Sequence, residues 1–167
     1  MVFIAFHFHI LVTTQVTSRA CLHTLGMDSE NFDAKSIVSF KTLNDNQQYP
    51  KKDFEKLLPL KEGVALKNGT TELKILTDKK EPQEVGVVSL IVKDDEIRNV
   101  EKVELLAETT TSKEPKIVKD FKSEDLKVVK DNLLKGRNPI LTKAIILRIT
   151  KNSNKPVNLK VNIKICI

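Results

Sequence analysis

Two cysteines, three histidines and one tyrosine, with no tryptophan, are the scarce reactive side chains of this 167-residue chain. A cysteine nucleophile needs an imidazole beside it to hold the thiolate. Beyond residue 20 only His23 could serve, and it lies two positions from Cys21. The sequence contains no Gly-rich phosphate loop, no His-Glu-x-x-His and no Gly-x-Ser-x-Gly. Carboxylates are plentiful, but nothing in the sequence sets a pair of them across a cleft. The composition therefore assigns no catalytic residue and no cofactor, and we expect a protein that is not an enzyme.

The remaining chemistry is that of binding and modification. Asp94-Asp95-Glu96, and Asp28 with Glu30 and Asp33, gather oxygen ligands of the kind calcium takes. Neither group has the Asp-x-Asp-x-Asp-Gly spacing of a dedicated loop, so both read as solvated turns and no metal is expected. Asn68-Gly69-Thr70 is an N-glycosylation sequon. Its other reading is a plain turn, which Asn-Gly favours by itself. Lys143, Arg148, Lys151, Lys155, Lys160 and Lys164 form a basic series near the C-terminus. With no aromatic residue among them to stack on bases, nucleic acid is not the expected partner. They read as a solvated sheet face with a weak attraction to polyanions.

The two cysteines stand near the chain ends, and the start of the chain gives them a compartment. Residues 1–12 are apolar apart from His7 and His9. Polar residues follow, and Ser18 and Ala20 occupy the small-residue positions of an Ala-x-Ala-like cleavage site. We read residues 1–20 as a secretory signal peptide, cut before Cys21, with residues 21–167 as a single secreted domain. A hydrophobic first strand is the alternative. An even cysteine count in an exported chain implies a disulfide, here Cys21–Cys166. Such a bridge requires the chain ends to meet, with Cα atoms within about 7 Å. No apolar run reaches the roughly 18 residues of a membrane span.

Periodicity places these residues mostly on strands. Val157, Leu159, Val161, Ile163, Ile165 and Ile167 alternate with polar residues without a break, the period-two pattern of a half-buried strand. Residues 140–149 read as one strand with Leu141, Ile145, Leu147 and Ile149 on one face. The turn-rich segment 150–156 then predicts an antiparallel pair of the two strands. Shorter strands are expected at 37–40, 71–77, 85–92, 103–107 and 116–121, with loops at 93–96 and 109–115. Residues 85–92 are apolar on both faces, as a central strand would be. One helix is expected over 123–135, from Ser123 as N-cap to Gly136, with Leu126, Val129 and Leu133 in helical spacing. Asp53 to Leu58 reads as a single helical turn. Several short strands with regular turn signals predict an all-β sandwich.

Cys21-Leu-His-Thr-Leu25-Gly26-Met27-Asp28-Ser29-Glu30-Asn31-Phe32 resembles the opening of discoidin domains, the coagulation-factor type-C module. Residues 140–167 resemble that family's closing strands, with Ala144-Ile-Ile-Leu-Arg148 and a last alternating strand ending near Cys166. The resemblance implies a galactose-binding-like β-sandwich (jelly roll) in which the first and last cysteines pair. It also implies an extracellular module that binds glycans, lipids or proteins through loops at one end. The family's Trp-bearing central segment has no counterpart between residues 45 and 120, so the resemblance assigns no ligand residue. The resulting expectation is a secreted binding or adhesion module for a carbohydrate or matrix ligand, with a non-catalytic protein-interaction module as the alternative.

Overall fold

A computed structural model describes residues 29–77, 81–109, 112, 114–130, 133–134, 140–152 and 154–166, without the side chains of 29–31 and 166. The signal-peptide expectation, Cys21, His23, Asp28 and Gly136 therefore lie outside the described residues.

Among the described residues, ten strands form two five-stranded antiparallel sheets. They are β1 (Ser29–Asn31), β2 (Ile37–Thr42), β3 (Val64–Ala65), β4 (Gly69–Leu76), β5 (Gln83–Ile91), β6 (Val100–Glu108), β7 (Lys116–Lys122), β8 (Ile140–Thr142), β9 (Ala144–Lys151) and β10 (Asn158–Cys166). The first sheet runs β1-β10-β5-β8, with β3 beside β1 on the same edge of β10, and the second runs β2-β4-β9-β6-β7. The last eight strands pair as nested partners: β3 with β10, β4 with β9, β5 with β8, and β6 with β7. One long hairpin wrapped around a core gives that pattern, and its name is a jelly roll. The all-β sandwich expected from the periodicity is thus the observed fold.

The alternation along each strand builds the core. Leu159, Val161 and Ile163 of β10 meet Val64, Leu90 and Val88 across their ladders, and all are buried. From the facing sheet come Phe40, Leu73, Leu147 and Leu105 in one row, and Ile37, Ile75, Ile145 and Ala107 in the next. Aliphatic side chains on both inner faces need no internal polar partner, so burial alone favours this arrangement.

The outer face of the second sheet carries charges in register. Lys41, Glu72, Arg148, Glu104 and Asp120 lie side by side across five strands. Arg148 Nε donates to Glu72 Oε2 at 2.8 Å. Lys74 Nζ reaches Glu108 Oε1 at 2.7 Å, from β4 to β6, across the intervening β9. Long stems laid along the sheet in this way cover Ile146 and Leu106, which are outward by register and yet buried.

Four expectations are corrected. Residues 140–149 are two strands in different sheets, because the inward parity changes at Lys143. Ile140 and Thr142 face inward before it, and Ile145, Leu147 and Ile149 after it, while Leu141 is 61% exposed. Thr142 fixes this corner: its hydroxyl donates to the Glu108 carbonyl at 2.7 Å and accepts from the Ala144 amide at 3.2 Å. The expected pairing of 140–149 with the last strand is likewise absent, since β9 lies between β4 and β6 and β10 lies in the opposite sheet. The helix is shorter than expected, Ser123–Val129, with Lys122 rather than Ser123 at its N-cap and no side-chain cap. Leu134 exchanges both backbone hydrogen bonds with Val88, at 3.2 and 3.1 Å, which requires extended chain where the helix would have continued. Finally, residues 94–97 form a helical turn rather than a loop.

Candidate functional site

One end of the sandwich collects the two α-helices found among the described residues. There β6 begins, β7 and β9 end, and the 152–157 connection crosses from one sheet to the other. Helix α1 (Asp94–Ile97) is held by Glu96, which is buried. Its Oε2 accepts from the Asn158 amide at 2.7 Å and its Oε1 from Asn158 Nδ2 at 3.0 Å. The neighbouring Asn99 is also buried and donates Nδ2 to the Pro156 carbonyl at 3.2 Å, while the Asn152 amide donates to the Asn99 carbonyl at 3.1 Å. Arg98, exposed between buried Ile97 and buried Asn99, therefore stands on a fixed base. Helix α2 (Ser123–Val129) is anchored by Leu126, which is fully buried, and is tied to α1 by Lys130 Nζ and Asp94 Oδ1 at 3.2 Å.

Between these elements lies a groove of about 570 Å³ lined by Arg98, Glu101, Lys102, Lys122, Ser123, Glu124 and Lys127. Ligand clefts run to roughly 300–1,000 Å³, so the space suits a small ligand or one segment of a polymer. The β6–β9 ladder slips between Val100 and Lys102, leaving Glu101 as an extra residue. A bulge of this kind re-aims a side chain, and it lets the consecutive Glu101 and Lys102 both line the groove. Lys102 and Lys122 are direct cross-strand partners. Glu104 receives a hydrogen bond from Lys102 Nζ at 2.7 Å, and that bond holds the ammonium above the ordinary lysine range. Among the described residues, no carboxylate pairs with Arg98, Lys122 or Lys127. The lining thus carries four cations against two carboxylates and one hydroxyl, and no aromatic ring.

A smaller groove at another corner contains Tyr49, Asp53, Lys56, Gly63 and Lys67. Its polar groups are already committed to the fold. The Tyr49 ring stacks on Phe40 with centroids 3.9 Å apart, and Lys67 Nζ covers it at 5.1 Å. The phenol oxygen accepts from the Lys67 amide at 2.8 Å, and Lys56 Nζ sits between Asp53 at 3.2 Å and Glu62 at 3.1 Å.

The residues singled out in the sequence are scattered over the fold. Lys143 is exposed at the opposite end, Arg148 is held by Glu72, and Lys151 is buried with its Nζ on the Leu66 carbonyl at 3.1 Å. Lys155 lies in the 152–157 connection, and Lys160 and Lys164 lie on the other sheet. The expected single basic face is therefore corrected, because the chain changes sheet between β9 and β10. Among the described residues, no three His, Cys, Asp or Glu side chains are placed to hold a metal ion. Of the two acidic clusters, Glu96 serves the fold, and Asp33 caps a turn by accepting from the Lys35 amide at 3.1 Å. Asn68 is exposed, with Nδ2 donating to Asn154 Oδ1. Gly69 after it has φ +89°, and a Cβ there would run into the Asn44 amide. Cys166 ends β10 opposite Ser29.

The groove cations escaped the sequence reading because they come from separate stretches, 98–102 and 122–127, that meet only through the β6–β7 pairing. A basic residue at each end of both stretches was the available signal.

No protein-family model matches the chain, and no curated protein matches it. Among solved structures it is similar to a two-domain protein of unknown function from Bacteroides fragilis, with 14% identity and a TM-score of 0.48 over 83% of this chain and 44% of that one. The chain thus spans less than half the length of that protein. Among the described residues no helix is long and apolar enough to cross a membrane.

Proposed function

We propose that the chain is a secreted, non-catalytic binding or adhesion module that takes a carbohydrate or extracellular-matrix ligand at the α1/α2 end. The observation that carries this reading is the groove itself: a ligand-sized concavity lined by polar side chains from β6, β7, α2 and the turn after α1 on the sandwich. Binding residues are commonly presented this way, on connecting segments held by a scaffold. The discoidin resemblance at the two chain ends supports the same role, since that family uses loops at one end of such a sandwich. Secretion rests on residues 1–20 and on the two cysteines. The meeting of β1 with the end of β10 favours the Cys21–Cys166 bridge, because it brings residue 29 beside Cys166. A glycan on exposed Asn68 belongs to the same proposal.

A protein-interaction module is the second reading, and β7 favours it. This strand closes one edge of its sheet, with Ile117 57% exposed. An exposed edge can accept another strand.

The test uses the chain produced through a secretory pathway and applied to a glycan array and a panel of matrix proteins. Concentration-dependent binding to a carbohydrate class or a matrix component supports the first reading. Silence on both surfaces, with the protein shown to be folded, overturns it. Peptide mapping of the same material without reductant reads out the Cys21–Cys166 bridge and the mass on Asn68.

A further inference from the structure

The structure assigns the α1/α2 groove to an acidic polysaccharide, with Arg98, Lys102, Lys122 and Lys127 receiving a sulfate ester or uronate carboxylate; this rests on the reading above and names the ligand's chemistry. Four observations converge on it. The first is that Lys102 and Lys122 stand opposite each other in register. Like charges so placed oppose folding. The next pair along the same two strands is acidic, Glu104 opposite Asp120, and Lys102 Nζ bonds Glu104 Oε1 at 2.7 Å. That ion pair takes up Lys102 and leaves Lys122 on the groove without a carboxylate partner among the described residues.

Second, Arg98 and Lys127 add two more cations from different elements, and among the described residues neither they nor Lys122 has a carboxylate partner. Charges converging on a concavity from several directions focus potential there more than a flat surface does. Third, Glu101, Glu124 and Ser123 share the lining. Carboxylates repel a densely charged phosphate backbone, but they accept hydrogen bonds from sugar hydroxyls. A polymer with separated anionic groups and many hydroxyls matches both halves of the lining. Fourth, none of the seven lining side chains is aromatic. A neutral sugar would have no ring to stack on, and a nucleic acid no platform for its bases.

The experiment measures binding of a heparin-derived tetrasaccharide by calorimetry at near-physiological ionic strength. Its desulfated and carboxyl-reduced derivatives separate the two anionic groups. Arg98→Ala and Lys122→Ala each weaken binding about five- to ten-fold, in line with the loss of one screened charge contact. Lys160→Ala, which removes the same charge from the other sheet, leaves it unchanged. Lys122→Glu abolishes binding and leaves the melting midpoint within about 2 °C of the parent's, because the side chain is exposed. That combination cannot come from misfolding.

Equal weakening by Lys122→Ala and Lys160→Ala would mean diffuse attraction and overturn the site. No tetrasaccharide binding, alongside array binding to a neutral glycan or a matrix protein, overturns the acidic ligand and leaves the broader reading standing. No tetrasaccharide binding with array and panel both silent removes both.

Discussion

Replacing Glu96 by Gln keeps the shape of a buried side chain and changes only its hydrogen-bonding sense. The carboxylate accepts from both donors of Asn158, the amide at 2.7 Å and Nδ2 at 3.0 Å. A glutamine offers one acceptor and one NH₂, so whichever way it turns, one Asn158 donor meets another donor. A buried donor left unpaired costs about 1–3 kcal/mol, and the bond that survives loses its charge assistance, about 1 kcal/mol more. The expected loss is therefore about 2–4 kcal/mol. Near this chain length each kcal/mol moves the melting midpoint by roughly 2–4 °C, so a fall of about 5–15 °C is expected. Urea unfolding checks it, with the midpoint shifting and the slope unchanged. Asp95→Asn is the control. Asp95 is exposed, so its loss stays within about 0.5 kcal/mol. If Glu96→Gln unfolds together with Asp95→Asn, or if millimolar calcium stabilises the parent and not the variant, the acidic turn is a ligand set and not a clasp on β10.

Thr142→Val removes the hydroxyl that joins Glu108 and Ala144 at the sheet-changing corner, and is expected to lower stability by about 1–3 kcal/mol in the same assay. Phe40→Ala deletes a fully buried ring and is expected to lose about 3–5 kcal/mol. Because the chain has one Tyr and no Trp, the emission of Tyr49, stacked on Phe40, reports that change directly. Hydrogen bonds from the Thr42 hydroxyl, and then from the Gln47 amide, hold the Asp45 carboxyl below the usual aspartate range. The stabilisation from that shift is present above the unfolded-state pKa and is lost as pH falls through the lower folded value. Carboxyl-resolved NMR titration checks this, and a midpoint at or above the ordinary aspartate value would contradict it.

Much of the sandwich was legible because its strands are half-buried. The alternation from Val157 to Ile163 survives in β10, and Val103, Leu105 and Ala107 face the core of β6 as their spacing predicts. Strand pairing was not legible. Periodicity says which face of a strand is apolar and says nothing about which sheet it joins. Lys143 breaks the alternation within 140–149, and a single residue out of phase reverses every later side chain. It marks the point where the chain leaves one sheet for the other. The helix failed at its far end because tertiary contact overrode local spacing: Leu133 and Leu134 are both buried beyond the helix, one of them paired with Val88. The groove was invisible for a related reason. Arg98 and Lys127 become neighbours only after β6 and β7 pair, and the bulge at Glu101 has no signature in residue type.

The nested winding also sets the order in which the molecule can be made. Val64 has its ladder partner in Leu159, and β5 has its longest partner in the same late segment. A nascent chain that has emerged only as far as Pro156 can assemble β2, β4, β9, β6 and β7, but it leaves β5 with a bare edge of backbone amides. Such an intermediate exposes Val88 and Leu90 until residues 158–166 arrive and insert between β1 and β5. Contacts this distant along the chain are slow to form, on the scale of milliseconds to seconds. The first sheet is therefore complete only once β10 lies against β5, and that step covers the edge on which Val88 and Leu90 stand.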